Sequence, residues 1–307
     1  MDVPGNAADK RGSPISSAVK AGNFRLRFRR IVRALTAALL PNRCMGCGDF
    51  FNPPEAYSHP NCSETVKGCG DSLLVTGSEP DADDRRSVSP PPVAQWICAR
   101  CRDGWAPVTS PLCSVCGIPF ISRVGEDHVC GECLVSPKHF RMARAVAVYT
   151  PLTLALARRF KYHGKIQLAG PLGALLTEAF QKFWEVENID VVLPVPLHRR
   201  RLRRRGFNQA YLLAKAFLKQ LERMGYDAAN IVVDKEILIR TRHTASQTGL
   251  KRKGRLDNIK NAFRVEDPAK VENRRILLID DIYTTGATVN ECAKVLRGSG
   301  AAWIDVL

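Results

Sequence analysis

The sequence lacks a hydrophobic run long enough to cross a membrane. An apolar stretch near the N-terminus, residues 31–40, spans ten residues and contains an arginine, whereas a spanning helix needs about 20 apolar residues. The polar segment before residue 31 has no hydrophobic core of the kind found in secretory signals. We therefore expect a cytoplasmic protein without a transmembrane segment.

Aromatic and acidic residues are also in short supply. Aromatic residues make up 7% of the 307 residues, so the stacking platforms that bind single-stranded nucleic acid are sparse. The 30 acidic residues are outnumbered by 46 lysines and arginines, which gives a formal net charge of +16. This surplus favours polyanions, phosphorylated ligands or anionic membrane surfaces as partners. The length suits one large domain or two modest ones.

Cysteine, by contrast, is abundant: eight of the eleven cysteines form four C-x-x-C pairs. Each pair presents two sulfurs to one ion, and two pairs supply the four tetrahedral ligands that zinc prefers. Paired cysteines without a secretory signal favour metal over disulfides, so we expect structural zinc here. The pairs are Cys44/Cys47, Cys98/Cys101, Cys113/Cys116 and Cys130/Cys133.

The spacing of the pairs indicates which of them share an ion. Thirteen residues separate the third pair from the fourth, a zinc-ribbon-like spacing, and the first pair then joins the second. An interleaved arrangement stays open, as does the choice between one ion and two, because the sequence does not determine the pairing. We expect His128 not to be a ligand, and we interpret Cys62 and Cys69 as incidental thiols.

The chain divides into three predicted regions. Residues 1–43 comprise a disordered tail and a basic amphipathic helix, which packs on the cysteine module or binds a membrane surface. Residues 44–139 form the cysteine module, with a disordered insertion at about 49–94 that is rich in Pro, Ser, Asp and Gly. Residues 140–307 form a third region of alternating strand-like and helix-like segments.

This alternation predicts a largely parallel sheet with helices on its faces. The last strand has only begun at Leu307, from which we expect a truncated C-terminus. The predicted helices lie at residues 152–164, 168–184, 208–225 and 288–300. The predicted strands lie at residues 143–150, 189–196, 236–240, 262–265, 274–280 and 302–307.

The most informative stretch is an apolar strand followed by two aspartates and a turn of small residues. Asp280 and Asp281 follow residues 276–279, at the end of a parallel strand where such sheets bind ligands. In the turn, backbone N–H groups can converge on an anion, hydroxyls add donors, and the next helix directs its positive end to the same point. The turn therefore suits a phosphate and the aspartates suit hydroxyls or a cation, a combination that a sugar phosphate offers. The turn residues are Thr284, Thr285, Gly286, Ala287 and Thr288.

Three stretches carry a resemblance to known families. The stretch LLIDDIYTTGAT resembles the 5-phosphoribosyl-1-diphosphate (PRPP) binding motif of type I phosphoribosyltransferases. The stretches LPVPLHRRRLRRRGFNQA and RTRHTASQTGLKRKGRLDNIKNAF, behind a cysteine module, are similar to the ComF family of competence proteins. The resemblance implies a type I phosphoribosyltransferase-like parallel sheet flanked by helices and preceded by a small zinc-ribbon-like module.

The resemblance also implies roles for individual residues. Asp280 and Asp281 become the catalytic pair, which holds the ribose hydroxyls with Mg²⁺ nearby, and the turn at 284–288 cradles the 5′-phosphate. Residues 194–198 lie near the pyrophosphate, and residues 240–258 form a flexible lid that closes over charged substrate.

A basic run, residues 198–205, has six arginines in eight residues and follows a predicted strand end. Arginine binds pyrophosphate with two N–H groups, which suits this leaving group. We assign Arg205 and Gly206 to the substrate site and the other arginines to the surface, where they suit a nucleic-acid backbone. We expect His243 to be exposed rather than a catalytic base, and Gln247 to contact ligand or to be solvated.

Three functions are compatible with these features. The first is a ComF-like protein, associated with DNA uptake in natural competence, that binds PRPP and Mg²⁺ and transfers a phosphoribosyl group to an unidentified acceptor; whether turnover occurs stays open. The second is a non-catalytic competence factor that binds single-stranded DNA and other DNA-uptake proteins. The third, a nucleotide-salvage phosphoribosyltransferase, is the weakest because no base pocket is recognisable.

Overall fold

The computed structural model describes residues 42–51, 92–122, 124–162, 164–244 and 252–307. The predicted tail and amphipathic helix, most of the predicted insertion with Cys62 and Cys69, and Gln247 lie outside these residues. Within them, no helix has the length and apolar character that crossing a membrane requires. The predicted boundaries between the three regions stay a prediction.

The described chain is built from short strands and helices. The strands are β1 (Asn42–Arg43), β2 (Phe50–Phe51), β3 (Met142–Ala143), β4 (Val191–Pro194), β5 (Val232–Val233), β6 (Leu238–Arg240), β7 (Phe263–Val265), β8 (Arg275–Ile279) and β9 (Trp303–Val306). The α-helices are α1 (Ala99–Asp103), α2 (Gly131–Val135), α3 (Pro151–Tyr162), α4 (Ala169–Phe183), α5 (Arg199–Arg205), α6 (Gln209–Arg223), α7 (Arg252–Ile259) and α8 (Ala287–Gly298). Short 3-10 helices span Pro92–Gln95, Ile166–Leu168, Val186–Asn188 and Pro268–Lys270.

A five-stranded parallel sheet lies at the centre, in the order β3-β9-β8-β4-β5, which confirms the predicted fold class. Successive residues of β8 point to opposite faces of the sheet. Leu277 and Ile279 pack into a hydrophobic cluster with α3, α4 and α6, whereas Ile276 and Leu278 pack into a second cluster with α8. Because helices cover both faces, the carboxyl ends of β4 and β8 are where a ligand can reach the sheet.

Helix α6 shows how apolar spacing positions the helices. Leu213, Phe217 and Leu221 recur every four residues and are all buried, so one face of the helix is apolar and packs towards α4. The helix begins after Asn208, whose side chain accepts a hydrogen bond from the N–H of Ala210 at 3.1 Å. This cap satisfies one of the N–H groups that the first turn leaves unpaired.

Two predicted strands do not join the parallel sheet. β6 and β7 pair with each other, antiparallel, as a separate two-stranded sheet. Four residues separate β5 from β6, whereas a parallel neighbour needs a crossover of about a dozen residues or more. The strand predicted at 143–150 also ends early, at Ala143. Beyond it, the N–H of Val148 donates to the carbonyl of Ala106 at 2.8 Å, so this segment pairs with the cysteine module instead.

Gly173 marks a close approach of α4 to α6, and its replacement tests this packing. A Cβ atom at Gly173 would lie 2.6 Å from Cβ of Ala216 and 2.8 Å from its carbonyl carbon. We expect Gly173→Ala to lower the free energy of unfolding in urea by about 1–3 kcal/mol, because the helices must separate. Gly170→Ala in the same helix is the matched control, since a Cβ there meets nothing within 4 Å and alanine favours helix by up to about 1 kcal/mol. Equal losses in both variants would contradict the close approach.

Candidate functional site

Two adjacent carboxylates follow the last residue of β8. The backbone N–H of Asp280 donates to the carbonyl of Leu307 at 3.2 Å, which keeps this strand end beside that of β9. The N–H of Asp281 donates to Oδ1 of Asp280 at 2.8 Å. Both side chains are partly buried, so the two carboxylates are held together in a confined space.

The charges of this pair influence each other. Burial and the negative charge of Asp281 raise the pKa of Asp280 to about 7. Nζ of Lys161, in the last turn of α3, lies 2.9 Å from Oδ2 of Asp281. That oxygen nevertheless has no correctly oriented hydrogen-bond donor among the described residues. A metal ion or a ligand donor that binds this oxygen must therefore share it with Lys161.

The turn between β8 and α8 has the backbone that an anion site requires. Gly286 has φ +68°, and a Cβ atom there would lie 2.6 Å from Oη of Tyr283, so no larger residue fits. Thr285 Oγ1 accepts a hydrogen bond from the N–H of Ala287 at 3.4 Å, at the first residue of α8. The positive end of the helix dipole thus lies directly after the turn.

A polar cavity of about 280 Å³ lies over the carboxyl ends of β4 and β8. Asp280 and Asp281 line one side of it, and Thr284 and Thr288 from the turn line another. The acid pair and the hydroxyls of residues 284–288, which we call the phosphate loop after its predicted role, therefore face one cavity. A ligand in the cavity can contact both at once.

Helix α5 places two arginines on the same cavity. Arg201 and Arg205 are four residues apart, so they project from one face of the helix, and both line the cavity. Arg201 donates to the carbonyl of Thr244 at 2.8 Å. Arg205 donates to Oε1 of Gln209 at 3.1 Å and to Oη of Tyr162 at 3.2 Å. These two hydrogen bonds hold the Arg205 side chain in place at the cavity.

A further arginine reaches the cavity from the two-stranded β6–β7 sheet. Arg240, at the end of β6, is 8% exposed, donates to Oγ1 of Thr244 and lies 5.4 Å over the ring of Phe263. Burial and the positive charge of Arg201 lower the pKa of Arg240 to about 10, so it still carries its charge at neutral pH. A charge buried this deeply is stabilised when an anion lies against it.

The structure brings together predicted site residues from separate segments. Asp280, Asp281, Thr284, Thr288 and Arg205 line the cavity. Thr285, Gly286 and Ala287 do not line it; they form the turn that connects the two threonines. The convergence of the lining residues follows from topology, since the ends of adjacent parallel strands meet at one edge of the sheet.

Other predicted positions differ from the observed site. Gly206 ends α5 in the left-handed conformation, with φ +82°, and does not line the cavity. The assignment of the remaining arginines to the surface is wrong for Arg201, because the helical spacing from Arg205 carries it to the same face. Sequence reasoning missed Lys161 entirely and placed Arg240 only at the edge of a lid. Helical periodicity could have identified Arg201, whereas no local pattern marks the other two.

His243 is exposed, as predicted. Its ring lies across from that of His198, with the ring centroids 5.1 Å apart. Nδ1 of His198 accepts from the N–H of Arg200 at 3.2 Å and so caps α5. Neither histidine lines the cavity, and the contacts of His198 serve to cap the helix.

Among the described residues, two groups of four cysteines are arranged to bind metal. Within each group the sulfur atoms lie within 4.8 Å of one another. A tetrahedral zinc with Zn–S bonds of about 2.3 Å separates its sulfurs by about 3.8 Å, and Sγ–Sγ distances of 3.7 Å join Cys47 to Cys98 and Cys116 to Cys130. The first cysteine group is Cys44, Cys47, Cys98 and Cys101, and the second cysteine group is Cys113, Cys116, Cys130 and Cys133.

These groups confirm the predicted pairing and rule out the interleaved one. Burial raises the pKa of Cys44, but N–H groups of Cys98, Cys47 and Gly46 outweigh it and lower the pKa to about 6. Cys113 in the second group has a pKa lowered to about 6 by the same balance. Thiolates are the form that zinc binds, so both groups fit structural zinc. His128 belongs to neither group and stacks on Phe120, as expected of a non-ligand.

Known proteins are similar to large parts of this chain. The family model for a double zinc ribbon domain matches residues 89–134. The DNA utilization protein YhgH of Escherichia coli O157:H7 is 35% identical over 214 residues, which cover 68% of this chain and 88% of that protein. Competence protein F of Haemophilus influenzae is 31% identical over 68% of this chain and 94% of its own. The chain belongs to the ComF family.

More distant ComF-family and structural relatives extend the comparison. Competence protein ComFC of Bacillus subtilis is 29% identical over 67% of this chain and 80% of its own. A solved glutamine PRPP amidotransferase from B. subtilis is 18% identical, covers 49% of this chain and 30% of its own, and has a TM-score of 0.30. At that score the structural likeness carries no weight for the site. The family association with competence and DNA utilization therefore stands on the sequence relatives.

The double zinc ribbon of this ComF-family protein predicts two zinc ions per chain. We expect elemental analysis to find two, and to find one in Cys98→Ser and one in Cys130→Ser, because each substitution removes a ligand from one group. Cys292→Ser is the control and should keep both ions, since this buried cysteine belongs to neither group. A single zinc in the unaltered protein, or a loss of both ions from either variant, would contradict two independent sites.

Proposed function

We propose that this ComF-family protein binds PRPP with Mg²⁺ in the cavity over β4 and β8, and transfers its phosphoribosyl group to an acceptor. The observation that carries the proposal is the convergence of three chemically distinct groups on one cavity. These are an acid pair, a phosphate loop and a cluster of cations. PRPP combines ribose hydroxyls, a 5′-phosphate and a pyrophosphate, and each of the three groups suits one of these parts.

The acid pair suits the ribose and the metal ion. Mg²⁺ prefers carboxylate oxygens and phosphate oxygens as ligands. Asp280 and Asp281 would hold it, and Oδ2 of Asp281 is already without a correctly oriented donor in the described chain. When bound, Mg²⁺ offsets charge on the pyrophosphate and favours its departure. Lys161, 2.9 Å from Oδ2 of Asp281, balances the same carboxylate before ligand binds.

The two ends of the ligand suit the other two groups. The phosphate loop, with its positive-φ glycine at 286 and the start of α8 behind it, suits the 5′-phosphate. Arg201, Arg205 and Arg240 line the cavity together with Lys161 and suit the pyrophosphate. The guanidinium groups of these arginines would donate hydrogen bonds to phosphate oxygens.

The reaction is a substitution at the anomeric carbon of PRPP. The bond from that carbon to the pyrophosphate oxygen breaks as the acceptor forms its own bond, and the pyrophosphate leaves with the electron pair. The transition state resembles an oxocarbenium ion, so arginines that stabilise the leaving group and a site that positions the ribose provide the catalysis. No nucleophilic side chain is required.

The raised pKa of Asp280 leads to a pH-dependent affinity. Below pH 7 this carboxyl carries a proton and binds Mg²⁺ poorly, so we expect calorimetric affinity for PRPP·Mg²⁺ to fall about tenfold from pH 8 to pH 6. Asp280→Asn should weaken binding at pH 8 by at least that factor and leave only the pH dependence that comes from the phosphates of PRPP, whose second pKa is about 6. Asp227→Asn, an exposed aspartate away from the cavity, is the control. Unchanged affinity in a double Asp280→Asn, Asp281→Asn variant would refute the site.

Binding of single-stranded DNA is a second candidate function, supported by the outer face of α5. Arg199, Arg200, Arg203 and Arg204 are exposed there, and none of them lines the cavity. Exposed arginines bind the phosphate backbone without reading its sequence. The relatives, a DNA utilization protein and a competence protein, are consistent with such a partner.

The salt dependence of DNA binding distinguishes the exposed arginines of α5 from those that line the cavity. We expect binding of a fluorescent single-stranded oligonucleotide to weaken steeply between 50 and 200 mM salt, and the Arg203→Gln, Arg204→Gln variant to reduce the logarithmic slope by about 1.4. The inward pair is the matched control. An Arg201→Gln, Arg205→Gln variant should lose PRPP affinity and keep most of the slope. Salt-insensitive DNA binding would exclude the outer arginines as its source.

A further inference from the structure

We infer that the second cysteine group, when it holds zinc, supports the phosphate loop from behind, with Tyr283 and Asn290 as the positioning residues between them. Zinc binding and phosphate binding are then coupled across the molecule. The inference rests on the proposed function, because the loop is the proposed phosphate site. Its evidence is a chain of contacts that runs from the zinc knuckle at residues 113–117 to the start of α8.

The knuckle at 113–117 is fixed to the edge strand of the sheet. The carbonyl of Val115 accepts a hydrogen bond from the N–H of Ala143 at 2.7 Å, and a Cβ atom at Gly117 would lie 2.3 Å from the carbonyl oxygen of Ala143. Arg144, 7% exposed, donates to the carbonyl of Ser114 at 3.1 Å. The backbone between the two cysteines of this knuckle is therefore in direct contact with β3 and cannot shift alone.

Asn290 connects the same module to the first turn of α8. Its Oδ1 accepts a hydrogen bond from the N–H of His139 at 2.8 Å, and His139 lies a few residues after α2, which carries Cys133. The N–H of Asn290 donates to the carbonyl of Gly286 at 2.8 Å. One residue thus joins the segment that follows the second cysteine group to the glycine of the phosphate loop.

Tyr283 fills the space beneath the turn. It packs against the hydrophobic cluster under α8, as does Val115 from the knuckle. Its ring edge lies so close to Gly286 that a Cβ atom there would be 2.9 Å from Cζ. Burial raises the pKa of the Tyr283 hydroxyl, and the negative charges of Cys116 and Cys133 raise it further, which agrees with a side chain that lies between the thiolates and the loop.

The first cysteine group is attached elsewhere and provides an internal comparison. A Cβ atom at Gly46 would lie 2.7 Å from Cδ1 of Leu152, and one at Gly48 would lie 3.3 Å from Nη2 of Arg159. Both neighbours belong to α3. Loss of zinc from the first group should therefore disturb α3, whereas loss of zinc from the second should loosen the phosphate loop.

Hydrogen exchange tests this difference without any ligand. Cys98 and Cys130 are a matched pair: each precedes a short helix, and the N–H of each donates to a sulfur of its own group at 3.3 Å. We expect amides at residues 284–292 to exchange faster in Cys130→Ser than in the unaltered protein, and to be unchanged in Cys98→Ser. Equal exchange in the two variants would overturn the inference, whatever the protein binds.

Tyr283 variants keep the test valid if a cysteine variant does not fold. Tyr283→Ala removes the ring under the turn and should speed exchange at 284–292 with both zinc ions still bound. Tyr283→Phe keeps the ring and should restore the slow exchange. Fast exchange in Phe and Ala variants alike would exclude the ring as the support, and slow exchange in both would overturn the inference.

Reciprocity gives a second readout. If zinc in the second cysteine group raises the affinity for PRPP·Mg²⁺ by some factor, PRPP·Mg²⁺ must raise the affinity of that group for zinc by the same factor. We expect competition with a chelator of known affinity to show about a fivefold or greater gain in Cys98→Ser, which keeps the second zinc. The gain should be smaller in Cys130→Ser, whose remaining zinc is connected to the cavity through α3 and Lys161. PRPP binding without this gain would refute the coupling. The unaltered protein could instead fail to bind PRPP while hydrogen exchange in the loop still depends on zinc. That result would refute the proposed function but not the support of the loop by zinc.

Discussion

Two carboxylates held side by side at the end of a buried strand must be balanced by nearby positive charge. Asp280 and Asp281 are in this situation: burial and the negative charge of Asp281 together raise the pKa of Asp280 to about 7. Four cations from three elements lie around the same cavity: Lys161 from α3, Arg201 and Arg205 from α5, and Arg240 from β6. The cations outnumber the acids among the lining residues, so the cavity has a net positive charge with an acidic pair at one point. This combination is the basis of the function proposed above.

The parallel sheet explains why these elements meet. Central strands that are buried on both faces expose only their ends, and β4 and β8 are adjacent in the sheet. The segments that follow them, α5 with its arginines and the turn before α8, therefore lie at one edge. The antiparallel β6–β7 pair lies outside this sheet and carries Arg240 to the cavity from a third direction.

The parts that sequence reasoning anticipated are those encoded over short distances along the chain. The acid pair and phosphate loop form one continuous stretch, and each C-x-x-C knuckle is complete within a few residues, so residue type and spacing were sufficient. Lys161 and Arg240 are separated from Asp281 by more than a hundred and by about forty residues, and only tertiary packing brings them together. Arg201 is an intermediate example. It lies one helical turn before Arg205 and therefore on the same face, but the sequence prediction did not treat the arginine run as a helix.

The first cysteine group unites sulfurs that are far apart in the chain, with Cys47 and Cys98 separated by 51 residues. A metal ion at this point closes a large loop, and the entropy of such closure changes by only about 0.6 kcal/mol for each doubling of loop length. The number of residues between the two knuckles is therefore nearly decoupled from the stability of the ribbon. Evolution can lengthen or shorten that connection, or insert a new recognition element within it, while the metal keeps its two ends together.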